Sequence, residues 1–197
     1  MNEFWNTRYS QEEYVYGTNP NTFFKEQIDK LEPGRLLMLG EGEGRNAVYA
    51  AKLGWHVDAV DFSEEAKKKA LLLAEKNSVS INYALSSLED YIPQKSFYDA
   101  VGLIFIHLNN SLSKRVHAKC IDALKPGGKI ILEAFEKEQL QYKSGGPQNP
   151  DLLYTVEDIQ TNFNVLKTEH LIKQIVNINE GSYHSGEAVV IKYTGIK

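Results

Sequence analysis

Arg35-Leu-Leu-Met-Leu-Gly40-Glu-Gly-Glu-Gly44-Arg-Asn-Ala-Val-Tyr-Ala-Ala-Lys-Leu-Gly-Trp-His-Val-Asp-Ala-Val-Asp61 is the stretch from which the rest of the chain can be placed. An apolar run over residues 36–39 meets glycines at 40, 42 and 44, and an amphipathic segment follows with Ala47, Ala50, Ala51 and Leu53 on one face. A second apolar run then closes on Asp61. Strand, glycine turn, helix and strand in that order make a βαβ unit. Glycine supplies positive φ and lets a ligand touch the backbone, while the helix points its free N–H groups into the turn. An acid at the tip of the second strand is placed to accept hydrogen bonds from ribose hydroxyls. The stretch reads as a nucleoside-binding turn, which a surface turn merely rich in Gly and Glu would not match on all four features.

Charge narrows the ligand. A dinucleotide fingerprint needs its third glycine at position 45, where this chain has Arg45. Glu41 and Glu43 stand where a pyrophosphate would dock, and two carboxylates beside a dianion cost more than the ~0.3–1 kcal/mol per interaction that a helix N-terminus returns. A ligand that presents a zwitterionic amino acid next to a sulfonium cation meets no such penalty. S-adenosylmethionine (SAM) fits that description.

Residues 35–61 resemble the first two motifs of the class I SAM-dependent methyltransferases. Further segments agree with the small bacterial branch related to tellurite-resistance and thiopurine methyltransferases: Trp5-Asn-Thr-Arg-Tyr9, Tyr14-Val-Tyr-Gly17 with Pro20-Asn21, Phe105-Ile-His-Leu108, Leu124-Lys-Pro-Gly-Gly-Lys-Ile-Ile-Leu-Glu133 and Gln139-Leu-Gln-Tyr-Lys-Ser-Gly-Gly-Pro147. The resemblance spans nearly the whole chain. It implies an α/β, Rossmann-like three-layer sandwich with a seven-stranded, mostly parallel sheet in the order 3-2-1-4-5-7-6, strand 7 antiparallel. It also implies SAM as cofactor, held by Gly40, Glu41, Gly42, Gly44, Arg45, Asn46, Asp61, Phe62, Ser63 and Phe105, with Ser87 and Leu88 along the adenine ring. Glu89 or Asp90 would reach the adenine amino group, unless each is an ordinary loop carboxylate.

The composition sets limits on function. With 197 residues, 42% hydrophobic and 24% charged, the chain is expected to form one domain over residues 1–197. One cysteine excludes a disulfide framework and a Cys-based metal site, so no metal is expected. A formal net charge of -4 gives no basic footprint for nucleic acid, and no apolar stretch reads as a signal or a membrane span. The expectation is a cytoplasmic protein, monomer or homodimer, with no nucleic-acid or membrane partner and a small-molecule methyl acceptor. Lys67-Lys-Lys69 backs an apolar face made by Ala66, Ala70, Leu73 and Ala74 and reads as solvated.

The remaining segments supply candidate contacts. Residues 1–20, with Trp5 and tyrosines at 9, 14 and 16, are expected either to cover the site as a lid or to tie the N-terminus down. Arg8, Tyr14 and Tyr16 are lid candidates there, Arg8 facing the SAM carboxylate or an anionic substrate if it is not a plain surface arginine. Residues 21–31 read as a helix stopped by Pro33-Gly34, and Ser63 as the cap of a helix reaching residue 77. Residues 97–106 read as a strand buried on both faces, ending at His107, Asn109 and Asn110, where ligands bind in doubly wound sheets. Asn110 or Ser111 is expected to cap the next helix, whose Cys120 faces the core. Residues 136–150 are long, irregular and placed after strand five, hence a substrate-lid loop with Tyr142 as a contact.

Methyl transfer from a sulfonium needs mainly alignment and exclusion of water, so no base is compulsory; His107, His184 and Glu133 are the candidates if one is used. The acceptor is expected to be a thiol, a chalcogen oxyanion or a heteroaromatic. The absence of N/D-P-P-Y/F after strand four argues against an exocyclic amine. A silent SAM-binding or adenosylhomocysteine-binding protein and, less favoured by position 45, an NAD-dependent oxidoreductase are the rival readings.

Overall fold

In the computed structural model, which describes residues 2–197, seven strands form one sheet: β1 (Arg35–Leu39), β2 (His56–Asp61), β3 (Asn82–Leu85), β4 (Tyr98–Ile104), β5 (Leu124–Phe135), β6 (Lys167–Asn179) and β7 (Ser185–Ile196). Their order is β3-β2-β1-β4-β5-β7-β6, as the resemblance implied. The first five run parallel, and β7 pairs antiparallel with both β5 and β6. Six helices accompany the sheet: α1 (Asn2–Tyr9), α2 (Thr22–Ile28), α3 (Arg45–Lys52), α4 (Glu64–Lys76), α5 (Asn110–Ala123) and α6 (Val156–Asn162).

The unbroken apolar run in β1 follows from burial on both faces. Leu36 and Met38 enter one core with Phe24, Ala47, Val57 and Leu73, beneath α2, α3 and α4. Leu37 and Leu39 enter the other with Val101, Val116, Cys120 and Phe163, beneath α5 and α6. Cys120 is fully buried and its thiol is pushed up to about 12 by desolvation, so it packs as a small hydrophobe. β1 lies between β2 and β4, and the chain crosses from β3 at one edge to β4 on the far side of β1. The carboxyl ends of β1 and β4 are therefore the topological switch point, where a crevice opens.

Several boundaries differ from the sequence reading. Residues 2–9 form α1, with Trp5 stacked on Tyr9 at 5.5 Å between ring centroids. The helix anticipated over residues 21–31 stops at Ile28, and Asn21 caps its start by accepting from the Phe24 N–H at 2.8 Å. The cap of α5 is Asn109, accepting from the Leu112 N–H at 3.0 Å, and not Asn110 or Ser111. Residues 136–150 are less irregular than expected, because residues Lys137–Gln141 make a 3₁₀ turn. Gln139 fastens that turn to β7: its Oε1 accepts from the Val189 N–H at 2.8 Å and its Nε2 donates to the Gly145 carbonyl at 3.0 Å. No helix among the described residues is long and apolar enough to cross a membrane. Among those residues, no group of three or more His, Cys, Asp or Glu side chains is placed to hold a metal ion.

Candidate functional site

The turn after β1 needs its glycines for space as well as for φ. Gly40, Gly42 and Gly44 have φ of 56°, 62° and 89°. A Cβ on Gly42 would stand 2.8 Å from the Tyr9 hydroxyl, and one on Gly44 would stand 2.7 Å from the Ala70 Cβ. The two glutamates between them point to different work. Glu41 folds back on the helix it precedes, and its Oε1 accepts from the Asn46 N–H at 2.9 Å and the Ala47 N–H at 2.7 Å. It thus occupies the donors that a phosphate would seek at the start of α3. Burial pushes its carboxyl up to about 7, against the pull of those N–H groups and Arg45.

Glu43 departs from the expected role. Its Oε2 accepts from the Val15 N–H at 2.8 Å and its Oε1 pairs with Lys69 at 2.5 Å. Lys69 also donates to the carbonyls of Gln11 and Glu13. The charge of Glu43 is therefore neutralised, and the residue clamps the N-terminal segment across the turn. What disfavours a pyrophosphate here is Glu41 occupying the helix N-terminus, not two free carboxylates repelling it.

Asp61 ends β2 beside the turn. Its Oδ2 accepts from the Gly42 N–H at 3.1 Å and its Oδ1 from the Ser63 N–H at 3.0 Å. Desolvation raises its pKa while the N–H groups of Ser63, Gly42 and Phe62 oppose the shift. A carboxylate offers about four acceptor positions, so these N–H groups do not exhaust it and capacity remains for a hydroxyl donor. Ser63 caps α4 through the Ala66 N–H and donates its hydroxyl to Asn6 of α1 at 2.6 Å. The Ser86 N–H donates to the Asp61 carbonyl, which holds the loop after β3 against the tip of β2. In that loop Ser87 and Asp90 hydrogen-bond each other, Glu89 pairs with Arg115, and Leu88 lies near Gly40.

The tip of β4 is strained and aromatic. Phe105 has φ of 52°, a left-handed conformation that bulky residues rarely adopt, and its N–H donates to the Glu133 carbonyl at 2.7 Å. Its ring meets Phe135 at 4.6 Å and His184 at 4.7 Å. His107 stacks against Phe135 and Tyr154. Its Nδ1 donates to the Leu152 carbonyl at 3.0 Å, and its Nε2 accepts from the Phe135 N–H at 3.4 Å. Burial pushes its pKa down to about 4. Both nitrogens of His107 thus hold backbone. Asn109 caps α5 as described, and Tyr142, half-buried, makes no side-chain hydrogen bond among the described residues.

Side chains from four parts of the chain close over this end of the sheet. Arg45 donates to Glu180 Oε2 at 2.7 Å and to the Tyr16 carbonyl at 3.2 Å. Asn21 Nδ2 donates to Glu133 Oε2 at 2.6 Å and to Glu180 Oε1 at 2.9 Å. Lys192 stands 3.8 Å from Glu133. Gly181 is required where the β6–β7 hairpin crosses the N-terminal segment, since an added Cβ would collide with the Val15 carbonyl. The Tyr14 hydroxyl donates to the Lys69 carbonyl, so that ring faces α4, whereas Tyr16 lies on His184 at 4.5 Å. The Arg8 guanidinium sits over the rings of Phe4 at 4.5 Å and Tyr183 at 4.3 Å and donates to the Tyr16 hydroxyl at 3.3 Å.

Sequence reasoning therefore named Gly40, Gly42, Gly44, Glu41, Arg45, Asn46, Asp61, Ser63, Phe105, Glu133 and His184, which the fold brings to one end of the sheet. It placed Tyr9 only within the covering segment, read Lys69 as solvated where the structure pairs it with Glu43, and missed Asn21 and Glu180. Asn21 alone carried a signal, as an Asn directly before a helical run.

Burial pushes Glu133 up to about 7, with Lys192 and Asn21 opposing. An acid whose folded pKa is raised adds stability below its ordinary value, and that stability is lost as pH climbs through the folded pKa. A rise from 4.5 to about 7 corresponds to about 3 kcal/mol at ~1.4 kcal/mol per unit. Urea unfolding from about pH 5 to about pH 8 should therefore show wild-type stability falling, and Glu133→Gln should remove roughly that part of the slope. A variant with the wild-type slope would place the carboxyl at its ordinary pKa.

Comparisons with known proteins agree with the fold and the turn. Residues 36–128 match the family model described as a methyltransferase domain. Curated relatives include the ubiquinone biosynthesis O-methyltransferase of Xanthomonas axonopodis pv. citri (strain 306), 31% identical over 111 residues, 55% of this chain and 46% of that protein. The protein of the same description from Xanthomonas campestris pv. campestris (strain B100) is 33% identical over 110 residues, 54% of this chain and 45% of that one. The chain spans less than half the length of these relatives. Among solved structures, TehB from Haemophilus influenzae superposes with a TM-score of 0.75 at 16% identity, covering 100% of this chain and 66% of that one. A protein solved for the conversion of a disulfide bond into a thioacetal group during echinomycin biosynthesis gives a TM-score of 0.82 at 13% identity, covering 100% and 91%. A glycine cradle beside a buried acceptor at Asp61 suits SAM, the methyl donor named in the descriptions of several solved structures of this fold. Its sheet order is that of the solved structures it superposes on, and residues 36–128, which hold the glycine turn and Asp61, are similar to a methyltransferase domain.

Proposed function

We propose that this chain binds SAM across residues 40–46 and Asp61 and transfers its methyl group to a small-molecule acceptor at the tip of β4. When bound, SAM supplies a methyl group already activated by the sulfonium. The residues then have to orient the acceptor and keep water out, and orientation of this kind supplies ~7–11 kcal/mol of a barrier. The observation that carries the reading is the meeting, at one end of the sheet, of the glycine turn, Asp61 and the Phe105–Phe135–His184–Tyr16 cluster. Residues 2–20 and 136–150 act as its covers, the first through Tyr9 over Gly42 and the second through Gly145 against His184.

The acceptor class we favour is a thiol, a chalcogen oxyanion or a heteroaromatic, with a hydroxyl added on the strength of the curated relatives' names. Aromatic walls suit flat or polarisable groups. Arg8 supports an acceptor that carries negative charge as well, because three aromatic rings frame its guanidinium and no carboxylate lies within ion-pairing distance among the described residues. A silent SAM-binding protein is the second reading, favoured by Tyr9 lying against Gly42.

Calorimetric titration with adenosylhomocysteine, followed by assay of its release from SAM over thiols, selenite, tellurite, heteroaromatics and catechols, tests the proposal. Saturable binding with turnover of at least one probe is expected. Binding without turnover of any probe would favour the silent reading, and no binding would end both.

A further inference from the structure

We infer that His184 accepts the proton of the methyl acceptor, oriented by Glu180, and that the acceptor arrives as a protonated thiol or hydroxyl. The inference rests on the methyltransferase reading and concerns the chemistry of that same site. Five histidines occur in the chain. His56 and His170 are exposed, His117 is buried on the core face of α5 with its Nδ1 on Asn162, and His107 has both nitrogens on backbone. His184 is different. Its ring lies between Tyr16 at 4.5 Å and Phe105 at 4.7 Å, and meets Phe135 at 5.2 Å, which sets it at the strained tip of β4.

The two ring nitrogens have distinct surroundings. Nδ1 is sealed from solvent and stands 3.5 Å from Glu180 Oε2, with no other partner. Hydrogen bonds between a base and its orienting carboxylate are often this loose before substrate binds. Nε2 bonds no described residue and lies on the side of Gly145, where an added Cβ would stand 2.7 Å from the ring and 3.4 Å from Nε2 itself. Glycine at 145 thus keeps the flank of the free nitrogen open. Glu180 is in turn fixed by Arg45 and Asn21, so the orienting carboxylate is itself held from two sides.

The charges facing His184 come from every neighbouring element: Glu180 on its own hairpin, Arg45 on α3, Arg8 on α1, the Tyr16 hydroxyl on the N-terminal segment, and His107 after β4. Desolvation leads in lowering its pKa, with Arg45 and Arg8 adding to the effect and Glu180 opposing. The ring is consequently neutral near pH 7, with the lone pair on Nε2 when Nδ1 carries the proton toward Glu180. In the step itself the acceptor's S–H or O–H bond breaks and its proton passes to Nε2. The electron pair left on sulfur or oxygen forms the new bond to the methyl carbon, as the C–S bond of the sulfonium returns its pair to sulfur. The imidazolium, stabilised by Glu180, later releases its proton to water.

Two arms test this on the full chain. The first needs no acceptor: ¹⁵N NMR of the imidazoles, assigned with His184→Gln, should find His184 neutral at about pH 7.5 with its proton on Nδ1, and Glu180→Gln should lower its pKa further. A proton on Nε2, or a pKa indifferent to Glu180→Gln, would overturn the inference. Because Glu180→Gln also leaves Arg45 unpaired, the tautomer in the wild type stands as the independent reading if that variant does not fold. The second arm compares thiol and hydroxyl probes. His184→Gln should lower kcat by ~10²–10⁴-fold on a catechol or an alkyl thiol, flatten the acidic limb of the pH profile, and leave adenosylhomocysteine affinity within about threefold. On 4-nitrothiophenolate, which needs no base, the loss should shrink to less than about tenfold. Equal losses on both probes would mean His184 only shapes the pocket and would overturn the inference. Should the wild type bind adenosylhomocysteine and turn over no probe, the proposed activity fails, while the NMR arm still decides for or against the Glu180–His184 pair.

Discussion

Arg45→Met should lower the unfolding free energy by about 3–5 kcal/mol, the usual cost of removing one partner from a buried ion pair. The Arg45 and Glu180 side chains are only 9% and 11% exposed, and they approach to 2.7 Å. Without the guanidinium, the Glu180 carboxylate keeps the Asn21 amide and a distant His184, while the Tyr16 carbonyl loses its donor. For a chain of this size each kcal/mol shifts the melting temperature by ~2–4 °C, so a fall of roughly 6–20 °C is expected by calorimetry. Salt should change it little, since buried pairs are poorly screened. Converting both residues to methionine should recover part of the loss, because a buried pair replaced by apolar groups is often neutral. A single variant melting within about 2 °C of the wild type would mean that the pair does not hold the hairpin to the N-terminal segment.

That contact also marks the limit of what the sequence carries. The βαβ unit is legible because its signals are local: an apolar run without alternation for a strand buried on both faces, glycines where φ is positive, an acid at the next strand tip. Glu41 and Glu43 look equivalent two residues apart, yet one caps α3 and the other clamps Val15 and Lys69. Arg45 and Glu180 lie 135 positions apart, and no periodicity links them. Asn109, Asn110 and Ser111 are all competent caps, so the start of α5 was off by one. The two histidines of the site were both visible as residues. Which of their nitrogens is spent on backbone depends on how the 3₁₀ turn at residues 150–152 meets β5, a tertiary fact.

Asp61→Ala should weaken adenosylhomocysteine binding by about 5–150-fold, the loss of roughly 1–3 kcal/mol in charged hydrogen bonds. The carboxylate is buried and already holds the Gly42 and Ser63 N–H groups, so truncation acts twice. It removes the acceptor for the ribose hydroxyls, and it frees the N–H of the glycine whose left-handed conformation shapes the cradle. Asp61→Asn separates the two effects. Its single carbonyl oxygen can keep one backbone N–H while its amide turns a donor toward the other, so the turn loosens without a cavity. If binding depends on the negative charge facing two hydroxyls, Asn should bind nearly as poorly as Ala. If the carboxylate serves only to brace the turn, Asn should sit close to the wild type and both variants should lose more in melting temperature than in affinity. Calorimetric titration of the three proteins with adenosylhomocysteine, alongside their thermal unfolding, distinguishes these, and affinity unchanged in Asp61→Ala would remove Asp61 from the ligand site altogether.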